Sequence, residues 1–297
     1  MSKDAQTAKI AAGQGFIAAL DQSGGSTPKV LGQYGVGADA YSNEEEMFDQ
    51  MHAFRSRIAT TPAFDGNRVV GAILFEMTMD REIEGKPSAT YLWEEKGVVP
   101  FLKIDQGLAE AADGIRLMND MPDLDALLER AVAKGIFGTK ERSVIDAATP
   151  EGVAKVVAQQ FEVAAKVLSY GLMPIIEPEV TITIEDKAQA EDLLLAELVK
   201  HVDALPDGQQ VMLKLSLPSK ANQYKPLVDH PKVLKVVALS GGYSREVANE
   251  MLSQNTGMIA SFSRALAEGL TAQQSDAEFD AHLDGTIQSI YEASIAG

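Results

Sequence analysis

Apolar residues fall along this chain in short runs separated by polar or turn-forming residues. Eight runs read as buried strands: Phe16–Leu20, Val69–Phe75, Val98–Ile104, Ile136–Ile145, Leu172–Ile176, Val211–Ser216, Val233–Leu239 and Met258–Phe262. Several are nearly continuous rather than alternating, the pattern of strands covered on both faces. The fourth is the least apolar, with Lys140, Glu141 and Arg142 in its middle. Between the runs lie segments of helical period. In Glu44–Ile58, Met47, Met51, Phe54 and Ile58 recur at spacings of 4, 3 and 4, one stripe of a helix. Leu124–Ala133, Pro150–Ser169, Asp186–Ala204 and Ser244–Gln254 behave alike, and Thr149 before Pro150 is a fitting helix start. Ser275–Ala296 is a last helix.

Strand and helix alternate throughout, which predicts a parallel sheet. Eight strands in 297 residues predict closure into an α/β (β/α)8 TIM barrel. An open doubly wound sheet would want a Gly-rich phosphate loop after the first strand, and Gly24-Gly25 does not match that fingerprint. Without linker, repeat or low-complexity stretch, residues 1–297 read as one barrel domain, with 1–14 a polar lead-in and 275–297 a C-terminal helix.

Composition narrows the chemistry. Asp and Glu number 43 against 26 Lys and Arg, a net charge of −17. Such acidity argues against nucleic-acid backbones and anionic membranes as partners. Nothing approaches the roughly 18 apolar residues of a membrane span, and the N-terminus lacks the apolar core of a secretory signal, so a cytoplasmic location is expected. Cysteine is absent, which removes disulfides, thiolate nucleophiles and cysteine-bound metals. The four histidines, His52, His201, His230 and His282, are scattered. Neither metal nor other cofactor is expected.

Barrel active sites lie at the C-terminal ends of the strands, and those ends are polar here. They carry Asp21-Gln22-Ser23, Glu76, Lys103-Ile104-Asp105, Lys140 with Arg142, Glu177-Pro178-Glu179, Lys214, Ser240-Gly241-Gly242 and Ser261-Phe262-Ser263-Arg264. A polar residue at a strand end is ordinarily solvated or a helix cap; Asp21 and Ser23 fit that role, and Glu76 has a surface partner in Arg81. Lys214 resists it, because Lys is rarely buried without a partner. A desolvated amine with other cations nearby loses its proton more readily and becomes a nucleophile toward a ketone or aldehyde; simple pairing with a carboxylate is the alternative. Schiff-base formation also moves protons. Glu177 and Glu179, two apart on an extended segment, point the same way, and Asp21 comes from another strand. The loops after strands seven and eight commonly bind phosphate in barrels, which points to Ser240, Gly241, Gly242 and Arg264. Ser23, Gly25 and Ser26 offer a second anion site. Two anion sites flanking a reactive lysine imply a bisphosphorylated carbonyl substrate.

These residues together resemble class I (Schiff-base) fructose-1,6-bisphosphate aldolases, especially the bacterial branch. The carrying stretches run in the family's order: Gly15 to Gly25, Gly71 to Glu76, Gly97 to Asp105, Pro174 to Glu179, Leu213-Lys214, Leu239 to Ser244 and Ala260 to Arg264. The resemblance implies a metal-independent retro-aldol cleavage in glycolysis and gluconeogenesis. It implies that Lys214 forms the Schiff base, Glu177 is the general acid/base, Glu179 hydrogen-bonds within the lysine cluster, Asp21 assists carbinolamine formation and C–C cleavage, and Lys140 stabilises charge. Arg142 and Lys103 would assist substrate binding, Lys103 near the second phosphate. Ser240, Gly241, Gly242 and Arg264 would hold the C1-phosphate, and Ser23 and Ser26 the C6-phosphate. Gln22 stands where eukaryotic members usually have glutamate, and Glu141 where they have tryptophan. The long tail ending in tyrosine is missing, and Tyr291 lies in no matching motif. Self-association is left open. A tagatose-bisphosphate aldolase or transaldolase on the same barrel is the rival enzyme, and a catalytically silent sugar-phosphate binder or adhesin the rival of another class.

Overall fold

The computed structural model describes residues 3–297, with Ser26 by its backbone alone. The eight apolar runs become eight strands: β1 Phe16–Leu20, β2 Val69–Leu74, β3 Val99–Lys103, β4 Gly138–Ile145, β5 Met173–Val180, β6 Val211–Ser216, β7 Val233–Leu239 and β8 Ile259–Ala260. Each pairs in parallel with the next in chain order. Between β1 and the segment just past β8 the ring closes through a backbone hydrogen bond from Ala19 N to Phe262 O at 3.1 Å. A two-stranded hairpin, Glu82–Ile83 with Lys86–Pro87, lies outside the ring, and Ile115–Arg116 pairs antiparallel with the end of β4. The chain is therefore a (β/α)8 barrel in one domain.

The expected helices form at Glu44–Thr60, Leu124–Ala133, Pro150–Ser169, Lys187–Asp203, Arg245–Ser253 and Asp276–Ile295. The last begins with a capping box in which Ser275 and Glu278 satisfy each other's backbone N–H. Their apolar stripes pack on the outward face of the barrel, where Phe16, Ala18, Leu20, Leu213 and Leu215 share one core cluster with Phe54, Val156, Leu194 and Ile287. Among the described residues, no helix is long and apolar enough to cross a membrane.

The eighth strand is shorter than expected, Ile259–Ala260 rather than Met258–Phe262, and two further elements differ. The polar lead-in contains a helix, Lys3–Ala12, whose Ile10 joins the barrel's inner cluster with Ile17, Ala19, Phe101, Ile175 and Met212. The helix packs against β2 and β7, and Ile10 is the apolar side chain it sends into that cluster. Strand β5 also runs past its apolar stretch through Glu177 to Val180, because β4 continues beside it in register, with Val144 opposite Glu179 and Ile145 opposite Val180.

Candidate active site

Strand period decides what enters the barrel. Inward positions near the N-terminal end are apolar: Ile17 and Ala19 on β1, Phe101 on β3, Met212 on β6. The same inward rows, continued toward the C-terminal end, carry Asp21, Lys103, Lys140 and Arg142, Glu177 and Glu179, and Lys214. All of these line one cleft of about 760 Å3, as do Ser23, Ser240, Gly241 and Arg264. Strands β5 and β6 pair only at Ile175–Met212 and Ile176–Leu213, so they part just where Glu177 and Lys214 begin. Ser216 bridges the widened gap, donating to Val180 O at 2.7 Å and accepting from Val180 N at 3.0 Å.

At the bottom of the cleft is a chain of alternating charge. Lys214 Nζ lies 2.9 Å from Glu177 Oε1, and Glu177 Oε2 lies 2.9 Å from Lys140 Nζ. Lys140 also meets Asp21 Oδ2 at 2.8 Å and Asp105 Oδ2 at 3.7 Å. Asp105 in turn meets Lys103 Nζ at 2.8 Å. Lys214, Lys140 and Glu177 are only 4%, 3% and 3% exposed, so these pairs act in a medium where Coulomb forces are poorly screened.

The environment assigns charge states. Burial alone would raise the Asp21 carboxyl, but Lys140, then Lys214 and Lys103, outweigh it and hold it well below the usual carboxylate range. Burial would lower Lys140, yet Asp21, Glu177 and Asp105 hold its ammonium well above the ordinary value. Asp105 is likewise depressed, burial being overcome by Lys140 and Lys103. Asp21 and Asp105 are thus anions and Lys140 a cation across the physiological range. Glu141, on the outward face of β4, is the opposite case: it is 0% exposed, Thr139 donates to one of its oxygens, and burial pushes its carboxyl well up.

The rims supply anion-binding groups. Gly241 has φ +60°, and a Cβ there would approach Ile182 Cγ2 to 2.6 Å, so the turn favours glycine. Gly242 lines a smaller adjoining cavity of about 340 Å3 together with Arg264, which borders both spaces. The expectation for the Ser26 hydroxyl lies outside the described residues. Altogether six basic side chains, Lys29, Lys103, Lys140, Arg142, Lys214 and Arg264, face four acidic ones, Asp21, Asp105, Glu177 and Glu179, in this cleft. The site is locally basic although the chain carries −17.

Some expectations change. Glu179 pairs with Arg142 at 2.9 Å, in the same cleft as Lys103, Lys140 and Lys214. Glu76 pairs with Arg130, while Arg81 takes Asp49 at 2.6 Å. Asp105, which the sequence places at a strand end without a role, belongs to the site, two residues from Lys103 as the glutamates are from each other. Lys29 at the rim and Ser261, a buried hydroxyl with no hydrogen-bond partner among the described residues, also line the cleft.

Barrel and cleft together define a (β/α)8 protein with a buried lysine–carboxylate cluster at the C-terminal ends of its strands, and relatives of the chain give the family. The family model described as fructose-bisphosphate aldolase class-I matches residues 2–218. A class 1 fructose-bisphosphate aldolase from Synechocystis sp. is 56% identical over 290 residues, 98% of this chain and 97% of that protein. The chain belongs to the class I fructose-bisphosphate aldolase family. Solved structures agree in fold. Plasmodium falciparum fructose-bisphosphate aldolase, crystallised with TRAP and a small-molecule inhibitor, superposes with a TM-score of 0.78 at 20% identity, over 98% of this chain and 95% of that one. Cgl0159 of Corynebacterium glutamicum gives 0.52 at 12% identity, over 98% and 92%.

Proposed function

We propose that this chain cleaves fructose 1,6-bisphosphate reversibly to dihydroxyacetone phosphate and glyceraldehyde 3-phosphate, through a Schiff base on Lys214 and without a metal ion, as a glycolytic enzyme of the cytoplasm. The observation that carries this reading is the Glu177 carboxylate shared between Lys214 and Lys140, 2.9 Å from each.

Glu177 is within reach to take a proton from Lys214 Nζ, freeing the lone pair that attacks the C2 carbonyl. The carbinolamine forms, Glu177 returns a proton to its hydroxyl, and water leaves. The protonated imine then accepts the electron pair of the C3–C4 bond as it breaks. Asp21 or Glu177 takes the C4 hydroxyl proton, glyceraldehyde 3-phosphate departs, and the enamine left on Lys214 is protonated at C3 and hydrolysed. Lys140, held cationic by three carboxylates, offsets the negative charge that builds up near C4. Ser240, Gly241, Gly242 and Arg264 take the C1-phosphate, Ser23 and Ser26 the C6-phosphate, and Lys103 and Arg142 add cations along the sugar.

The test is borohydride reduction with fructose 1,6-bisphosphate in the presence of EDTA, followed by peptide mass spectrometry. A reduced adduct on Lys214 is expected. An adduct elsewhere, or none alongside full turnover, sinks the covalent scheme. Turnover that EDTA abolishes sinks the metal-free one. A higher kcat/KM with a tagatose bisphosphate or in sugar transfer would reassign the substrate.

A further inference from the structure

The barrel is unequally closed. Seven neighbouring strand pairs share ladders, whereas, among the described residues, β1 is joined to the segment just past β8 by the Ala19–Phe262 backbone bond. Of the groups proposed to hold phosphates, the loop after β1 and Arg264, just past β8, meet at this seam, while Ser240 to Gly242 follow the neighbouring β7. Side chains cross it. Gln22 Nε2 donates to Ser263 Oγ at 2.6 Å. Behind Gln22 stands Arg55 of the helix Glu44–Thr60. Its guanidinium donates to the Gln22 carbonyl oxygen and to Gln22 Oε1 at 3.4 Å, and to Thr78 Oγ1 at 2.8 Å. Thr78 belongs to the short helix Glu76–Met79 after β2, so one buried side chain ties the ends of β1 and β2, and Gln22 extends the tie to β8.

Arg55 is a costly choice for this place. It is 2% exposed, and its partners are a carbonyl, an amide oxygen and a hydroxyl, none of them charged. Its Nε has no hydrogen-bond partner among the described residues. Burial pulls its guanidinium down to about 9, the charge of Asp21 acting against that, and at neutral pH it stays a cation. An apolar side chain would fill the space without desolvating an ion. Gln22 is equally specific in role: its amide accepts from Arg55 and donates to Ser263 at once, which neither a carboxylate nor an apolar residue can do. Its chain neighbours are Asp21, in the charge cluster, and Ser23, on the anion loop; the neighbour of Ser263 is Arg264.

We infer that Arg55, Gln22 and Ser263 form a strap across the barrel seam that sets the distance between the two phosphate sites, making Arg55 and Gln22 positioning residues that select a substrate with two phosphates over one with a single phosphate. The inference rests on the function proposed above. Two anchors on one ligand reinforce each other only when their spacing matches that of the ligand. A slack strap therefore costs the bisphosphate the advantage of its second anchor and costs a monophosphate little.

The experiment compares kcat/KM for fructose 1,6-bisphosphate and fructose 1-phosphate in the full chain, wild type against Ser263→Ala, Gln22→Met and the double variant. The ratio of bisphosphate to monophosphate is expected to fall about tenfold in each single variant, a loss of about 1.4 kcal/mol, through a raised KM for the bisphosphate. The double variant should be no worse than Gln22→Met, because both break one link. Arg55→Lys should move the ratio the same way; if it does not fold, Ser263→Ala, at a half-buried surface position, still decides. An unchanged ratio, or equal losses on both substrates, overturns the strap while leaving the aldolase reading intact. A wild type that turns over neither substrate overturns that reading and the strap with it.

Discussion

The two ends of the barrel are built from the same inward rows of the same strands, yet they do opposite work. At the N-terminal end the rows present Ile17, Phe101, Ile175 and Met212, and the helix Lys3–Ala12 adds Ile10 as a plug. At the C-terminal end the rows present lysines and carboxylates linked at 2.8 to 2.9 Å. Apolar burial is strong but non-directional, so the lower end supplies stability whatever the detailed arrangement. The charged end is costly to desolvate, and breaking a pair there leaves a buried ion unmatched. The lower half holds the upper half in register and needs no chemistry of its own.

The contrast is open to attack at several points. The largest effect is expected for Lys214→Met, which should cut turnover by about 10⁴-fold or more, as removal of a covalent nucleophile does elsewhere, with far-UV circular dichroism unchanged. A variant that keeps more than a hundredth of the activity would show that the charged cluster does not act through Lys214. Next comes Phe101→Ala in the apolar layer, where Phe101 packs edge-to-face on Phe137 at 5.4 Å between centroids. It should cost about 3–5 kcal/mol of stability, read by urea denaturation, while the folded fraction keeps its kcat. Lost activity with unchanged stability would erase the distinction between the ends. The smallest effect probes the barrel wall at Glu141. A carboxyl raised by folding contributes stability fully present below its unfolded value near 4.5 and lost as pH rises through its folded value. Glu141→Gln removes that dependence, so it should raise Tm by about 2–4 °C at neutral pH, with the gain vanishing near pH 4. A gain that persists in acid would mean the carboxyl is charged in the folded protein.

Much of this was legible beforehand. All eight strands and the helix Pro150–Ser169 stand where apolar periodicity puts them, because burial on both faces leaves a local signature. The reactive side chains were legible for the same reason: Lys140 and Arg142, or Glu177 and Glu179, sit two apart and so share a face. Asp105 obeys the rule too, but a lone carboxylate after a strand looks like a helix cap until Lys103 and Lys140 are seen beside it. Ile10 was hidden because one apolar residue in a polar stretch has no period. Arg55 was hidden because an arginine in an amphipathic helix normally faces water, and nothing local tells that this one is turned toward Gln22. That Glu179 meets Arg142 was not legible, because several cations are equally available to it until the strands are set side by side.

The sequence by itself determined the alternation of strand and helix, the inward rows, and the change from apolar to charged partway along them. These depend on a period of two residues and on the burial preference of each side chain, both local quantities. Only the tertiary structure decided who meets whom: Glu177 divided between Lys140 and Lys214, Lys140 ringed by three carboxylates, and Gln22 reaching a serine 241 positions away. Those contacts depend on register, on ring closure and on where neighbouring strands separate. Each is a sum over many distant pairs, so no short stretch of sequence carries it.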